Sequence, residues 1–523
     1  MYSKIIFQIF KNGKEKTMSF LCKSVVIVVF IWSFFANSCY AQASSDSDLA
    51  AMKKQLEAME ETTKKQLGAM EETIKKQQEM INDLKNEIGT KVVDAESNIS
   101  AVSGNNEREF EQAIDNYLMK EETRDKMVKS GLTPEYFYWD NGLRFKTGDG
   151  KFKFKVGGRV MNDWGWFEED NELSGNVGDQ VDGSEFRRSR VYLSGNLYEN
   201  IGFKIQYDFA GDGRPDFKNV YMKLKEVPIL GAIQVGHYKE PFGLEETTSS
   251  KYITFMERSL NNVFAPGYGV GFMSYNHALD ERLTWAAGVF RSPSNDWGDS
   301  EGLSSTEGGY SFSGRITGLP LYEDEGKKLI HTGFSYSYQN AFENVISYSS
   351  GPEMHMASSF VDTGIFAAES VHIFNPELAF KHGPLSLQAE YTYANTELPD
   401  SSVSSDSHFS GFYVYGSYFL TGEHRKYSTD SGEFSRVKPN RNFIWGKGIG
   451  AIELAARYSH LDLSDEAIDG GRLGDVTLGI NWYLNPNTRV MFNYVHADPD
   501  FTNTSSNSDG NADLAAMRFQ IDF

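Results

Sequence analysis

Sixteen stretches of this chain alternate apolar and polar residues, and that period of two constrains its fold more than any other feature. They run over 151–162, 187–197, 201–210, 218–226, 231–238, 270–277, 281–291, 309–317, 328–339, 371–381, 385–395, 408–420, 449–462, 474–484, 488–497 and 513–523. Alternation at 180° per residue marks strands with two unlike faces. The last stretch, Met517-Arg-Phe-Gln-Ile-Asp-Phe523, puts Phe519, Ile521 and Phe523 on one face and Arg518, Gln520 and Asp522 on the other. A soluble sheet would leave such an apolar face in water. A membrane barrel turns it to lipid. An even strand count and connections that alternate short (198–200, 227–230, 382–384, 485–487) and long (163–186, 239–269, 292–308, 340–370, 498–512) fit a bacterial outer-membrane barrel. The segment 421–448 is long where this alternation asks for a short turn. Either a strand is miscounted or that turn is elaborated.

Composition narrows the function. A net charge of −21 argues against a nucleic-acid partner, which needs a basic face. A mean hydropathy of −0.46 with 14% aromatics and 48 glycines suits a barrel that is apolar on one face only. The two cysteines, Cys22 and Cys39, exclude a disulfide scaffold or a cysteine-ligated metal. The apolar run from Ser24 to Ala36 follows lysines and leads to small residues at Ala41, so 1–41 reads as a signal peptide and not as a spanning helix, which needs roughly 20 residues. A lipoprotein signal through Cys39 is disfavoured, because Ala36 stands where a leucine is expected. The protein is expected to be exported to the outer membrane of a Gram-negative bacterium.

Residues 48–104 have another period. KKQLEAMEETT, KKQLGAMEETI and KKQQEMINDLK succeed one another from Lys53, with apolar positions at Leu56, Met59, Thr63, Leu67, Met70 and Ile74 and then Ile81, Leu84, Ile88 and Val92. An 11-residue repeat gives 3.67 residues per turn and a straight or slightly right-handed coiled coil. A helix of this kind needs partners, which implies an oligomer with a periplasmic coiled coil. A linker over 105–143 and a barrel over 144–523 complete the layout. The fold class is all-β: a 16-stranded antiparallel transmembrane β-barrel with an N-terminal α-helical coiled coil.

Parity sorts the charges. In Lys151-Phe-Lys-Phe-Lys-Val-Gly-Gly-Arg159 the apolar residues must face lipid, which turns Lys151, Lys153, Lys155 and Arg159 into the lumen. The same test turns in Arg188, Arg190, Lys204, Lys223, Lys225, Arg282 and Arg315, with Arg457, Arg489 and Arg518. Inward acids are fewer: Asp163, Asp208, Glu390, Glu453, Asp475 and Asp522. A Lys or Arg facing the bilayer midplane costs about 2–4 kcal/mol, so parity is a firm guide within a strand. A lumen richer in bases than acids makes the first set a candidate anion path. The competing reading is that these bases pair with acids and brace the barrel. No metalloprotease or serine-hydrolase motif occurs, nor a phosphate-binding nucleotide loop, so no enzyme activity and no cofactor are expected.

Three segments then carry a resemblance: Gly236-His-Tyr-Lys-Glu-Pro-Phe-Gly-Leu-Glu245 with Phe255-Met-Glu-Arg258; Tyr418-Phe-Leu-Thr-Gly-Glu423; and Gly450-Ala-Ile-Glu-Leu-Ala-Ala-Arg457 leading to Asn481-Trp-Tyr-Leu-Asn-Pro486. Together they resemble the phosphate-selective porin O and P family over about residues 140–523. The resemblance implies a homotrimer of 16-stranded barrels, each with a pore narrowed by an inward-folded third external loop, here 239–269. It implies small anions such as phosphate or pyrophosphate as solutes. The candidate constriction loop offers Lys239, Lys251 and Arg258, but also Glu240, Glu245, Glu246 and Glu257. Two other readings remain open: a general diffusion porin without anion preference, and a structural envelope protein whose coiled coil reaches peptidoglycan.

Overall fold

The computed structural model describes residues 137–147, 149–211, 214–291, 309–399, 406–465, 468–501 and 510–523. The segments expected to be signal peptide and coiled coil, and nearly all of the expected linker, lie outside these residues. Sixteen antiparallel strands form a closed barrel: β1 (Phe152–Glu169), β2 (Gly183–Leu197), β3 (Ile201–Asp208), β4 (Asp216–Val227), β5 (Gly231–Lys239), β6 (Tyr268–Ala278), β7 (Leu283–Arg291), β8 (Tyr310–Glu323), β9 (Lys328–Asn340), β10 (Ser370–His382), β11 (Leu385–Glu397), β12 (Asp406–Phe419), β13 (Ala451–Asp465), β14 (Ile468–Asn485), β15 (Thr488–Asp500) and β16 (Ala512–Asp522). Each of the sixteen alternating stretches coincides with one strand. Neighbours in sequence pair all the way round, and β16 closes on β1 in the register Ala512↔Glu169 to Asp522↔Arg159. A short hairpin at 137–139 and 143–146 continues the sheet along the first residues of β1, with Leu143 opposite Val156.

The faces divide as parity requires. Along β16, Leu514, Ala516, Arg518, Gln520 and Asp522 are buried, while Phe519 and Ile521 are about half exposed on the outside. Leu478 and Ile480 on β14, Val414 on β12 and Val289 on β7 extend that apolar band. At the seam, Phe523 exchanges two backbone hydrogen bonds with Gly158, at 2.7 and 3.0 Å. Glycine is required there: a Cβ on Gly158 would lie 2.6 Å from the Arg190 carbonyl and 2.8 Å from the Phe523 ring.

The packed core of this protein lies inside the bore, to one side. The third loop (240–267) and the fifth (341–369) fold inward, and Phe242, Met256, Leu260, Phe264, Tyr348, Met354 and Phe360 pack on inward apolar residues of β10–β16 such as Ile373, Leu461, Leu473 and Leu514. The long 421–448 segment is an elaborated turn, and all sixteen strands stand. Its hairpin, Lys426–Ser428 with Glu433–Ser435, enters the bore from the turn end. There the Tyr427 hydroxyl lies 2.6 Å from His331 Nδ1, Arg315 donates to the Gly432 carbonyl at 2.8 Å, and Phe434 packs on Leu244 and Ala379. Protein therefore fills the β9–β16 side of the bore and leaves the β1–β8 side open.

Candidate permeation path

Two joined cavities follow the open side. The wider one, of about 720 Å³, is lined by Arg187, Arg188, Arg190, Lys218, Lys239 and Arg258. The other, of about 500 Å³, continues toward the turn end past Lys153, Lys155, Lys225 and Lys251. Arg159, Lys204, Tyr221, Lys223 and Ser249 line both, so three cations stand at the junction of the two cavities, here called the neck.

The neck cations belong to β1, β3 and β4, whose alternation holds them inward. Arg159 donates to the Ser250 hydroxyl at 2.5 Å, Lys223 approaches the Tyr275 hydroxyl at 3.4 Å, and the Lys204 ammonium stands 5.3 Å from the centre of the Tyr192 ring. Beyond the neck, Lys225 donates to Asn196 at 2.6 Å and Lys155 faces Tyr192 at 5.7 Å. None of these five, nor Lys153, forms an ion pair with a carboxylate among the described residues.

Most other inward cations are paired with acids, and the inward loops supply much of the compensation; Arg489 instead donates to the Ile253 carbonyl and to Gln520, both at 2.9 Å. Glu246 bridges Lys239 (2.5 Å) and Arg258 (3.0 Å). Glu257 accepts from Arg187 Nε and Nη2 (2.9 and 3.0 Å) and from Arg518 (2.7 Å), with Arg188 3.7 Å away. Burial opposes its charge, yet Arg187, Arg188 and Arg518 hold its carboxyl well below the usual range. Glu245 and Glu353 enclose Arg457, and Glu377 pairs with Arg315 at 2.8 Å. Arg190 pairs with Asp208 at 2.6 Å, and Arg518 with Asp163 at 2.6 Å. Glu240 is buried against Ser311 and Ser313, and burial lifts its carboxyl to about 7 despite those two hydroxyls. Glu390 caps the short helix Leu244–Thr247 by accepting from the amides of Leu244 (3.0 Å) and Glu245 (2.7 Å). The acids of the third loop are thus tied to partners; Glu240 and Glu246 still line the wider cavity, but none of them lines the second cavity or the junction of the two. Lys251 is intermediate: it lies 3.6 Å from Asp522, and burial with the nearby Arg159 charge lowers its ammonium to about 8.

Two candidates fall outside the path. Lys151 precedes β1, exposed beside Asp149 at 3.7 Å. Arg282 sits in the turn before β7, exposed, with its guanidinium on the Tyr322 carbonyl. Parity holds only within a strand, and both residues lie just beyond one. Arg187 and Lys218 line the path although parity does not select them. A β-bulge opposite Met161 and Asn162 inserts Arg187 between Phe186 and Arg188, so two successive arginines face inward. A second irregularity, between Ile205 and Tyr207, does the same near Lys218.

Residues 154–523 match the family described as phosphate-selective porin O and P. Porin O of Pseudomonas aeruginosa is 27% identical over 419 residues, 72% of this chain and 90% of that protein. An uncharacterised protein of Caulobacter vibrioides is 26% identical over 418 residues, 76% and 79% of the two chains. Among solved structures, an anion-selective porin from Comamonas acidovorans (11% identity, TM-score 0.45) aligns over 71% of this chain and all of that one. OmpT of Vibrio cholerae in its trimer form (12%, 0.44) covers 71% and 99%. With most of its length matched and a closed sixteen-strand barrel around a lateral bore, this chain belongs to the phosphate-selective porin O and P family and is an outer-membrane porin.

Proposed function

We propose that this porin passes small anions, phosphate or pyrophosphate among them, along the β1–β8 side of its bore. The observation that carries the reading is the neck at Arg159, Lys204 and Lys223, where no carboxylate neutralises the cations. The candidate path comprises Lys153, Lys155, Arg159, Arg188, Arg190, Lys204, Lys223 and Lys225, with Lys239, Lys251 and Arg258 on or beside the constriction loop. Within it Arg190, Lys239 and Arg258 position walls and loop, while the unpaired group meets the solute. Arg315 lies between the two roles, lining the cavity yet paired with Glu377. A cluster of unpaired cations over a short length favours anions electrostatically, and several convergent donors can replace part of an anion's hydration.

The test is the reversal potential of the purified protein in a planar bilayer under a KCl gradient, followed by phosphate titration. Anion preference with block at low phosphate supports the reading. Cation preference would favour a general diffusion porin governed by Asp430 and Glu433, which also line the cavity. The assembly we propose is a homotrimer with the 48–104 helices joined as a periplasmic coiled coil. Deleting 49–100 separates its roles. Loss of trimers on native gels makes it an oligomerisation device, whereas a weakened envelope with intact channels makes it a tether to peptidoglycan.

A further inference from the structure

The turn that sends its hairpin into the bore also sends a second arm outward. Residues 440–450 form a tight loop closed by two 3.0 Å backbone hydrogen bonds between Ile444 and Gly448, with Gly446 at φ +71. Its tip exposes Trp445 (86%), Ile449 (61%) and Ile444 (54%). A monomeric surface gains nothing from a tryptophan in water.

The loop is fixed to the lipid-facing wall. The Phe443 ring packs edge-on to Trp445 at 5.0 Å and to Trp482 at 5.1 Å. Trp482 continues the outward series Val476, Leu478 and Ile480 of β14, and its indole N–H donates to the Ile449 carbonyl at 2.7 Å. The apolar tip is therefore contiguous with the band that meets lipid, at the turn end of the barrel, which is periplasmic in bacterial barrels. Lys438, Arg441 and Lys447 lie exposed along the same arm, and no acid occurs from 438 to 450 in a chain of net charge −21. Arg441 and Lys447 form no ion pair among the described residues. A cleft of about 650 Å³ lies between the loop and Thr421 and Glu423, whose carboxylate is spent on the Asn440 amide at 2.8 Å and the Thr421 hydroxyl.

We propose that residues 440–450 are a lipid-binding foot. Trp445, Ile444 and Ile449 seat in the interfacial zone of the periplasmic leaflet, and Arg441 and Lys447 hold the phosphate of an anionic phospholipid headgroup. Aromatic side chains with polar edges favour that zone, and basic residues next to it gain from anionic lipid. The foot depends on the membrane topology of the barrel and not on the sign of its selectivity.

The experiment reconstitutes the purified porin in phosphatidylethanolamine–phosphatidylglycerol vesicles containing lipid brominated near the carbonyl end of the acyl chain. The expected result is a quenched emission component present in the wild type and lost in Trp445→Phe. In the R441Q/K447Q double variant the quenching of Trp445 no longer grows with the phosphatidylglycerol fraction. Two results overturn the proposal. Equal quenching in wild type and Trp445→Phe, with aqueous iodide reaching Trp445, places the loop in water. Protection of Trp445 from both iodide and brominated lipid, with loss of oligomers in Trp445→Phe, makes the loop a contact between copies of this chain.

Discussion

Replacing Lys204 by glutamine tests the neck most directly. The lysine is half-buried, carries no carboxylate partner, and lines both cavities. A unit charge about 4 Å from a permeating anion contributes about 1 kcal/mol under water-like screening and about 4 kcal/mol at an effective dielectric near 20. With tenfold per 1.4 kcal/mol, Lys204→Gln should raise the half-blocking phosphate concentration by about fivefold, and up to several hundredfold, in recordings at a mildly acidic pH that keeps the lysine charged. Single-channel recordings should be made near 0.1 M salt, where screening extends about 10 Å; molar salt would mask the effect. Lys204→Arg keeps the charge and should keep the block. Lys151→Gln, outside the path, should change nothing. A shift smaller than about twofold in Lys204→Gln, with conductance and oligomers intact, would refute the assignment of the neck.

Further outcomes follow from the same geometry. Arg457→Gln strands Glu353 and Glu245 in the packed half of the bore; breaking such a buried pair costs about 3–5 kcal/mol, so the thermal transition should fall and protease should reach the fifth loop, while the sign of selectivity stays. Anion preference should decline as pH rises from about 7 to about 9, because Lys251 loses its proton near 8 and Glu433, lifted to about 7 by burial against the pull of Arg315 and Lys239, gains a negative charge. Reversal potentials across that range check it, and Lys251→Arg should flatten the upper part of the change. Replacing 426–435 by a short Gly-Ser turn should raise conductance and weaken phosphate block, measured in the same bilayers. Gly158→Val should prevent the seam from closing, seen as loss of the heat-modifiable folded band on gels.

Strand number, strand positions and the inward direction of most charges are legible in the sequence because lipid permits only one orientation of a period-two strand. What parity cannot supply is the partner of each charge. Glu257 meets Arg187 across 70 residues and Arg518 across 261, and Glu353 meets Arg457 across 104. Whether Lys204 is free and Arg457 braced depends on where two loops fold, and a loop has no period. Arg187 escapes for a local reason, since one inserted residue at the bulge resets the alternation. The inward hairpin at 426–435 escapes for the same reason as the loops: its length is visible, its direction is not.

The seam between β1 and β16 sets a timetable as well as a shape. Arg518 and Asp163, 355 residues apart, come together only there, so neither edge strand can be satisfied until nearly every other strand has formed. Such distant pairing is slow, since loop-closure entropy is lost before the contacts reward it. While it waits, the chain presents two open edges and an uncovered apolar band, the conditions for aggregation. A chain with this topology must be held unfolded on its way to the membrane, and its yield in the cell is governed by whatever keeps those two edges apart until lipid receives them.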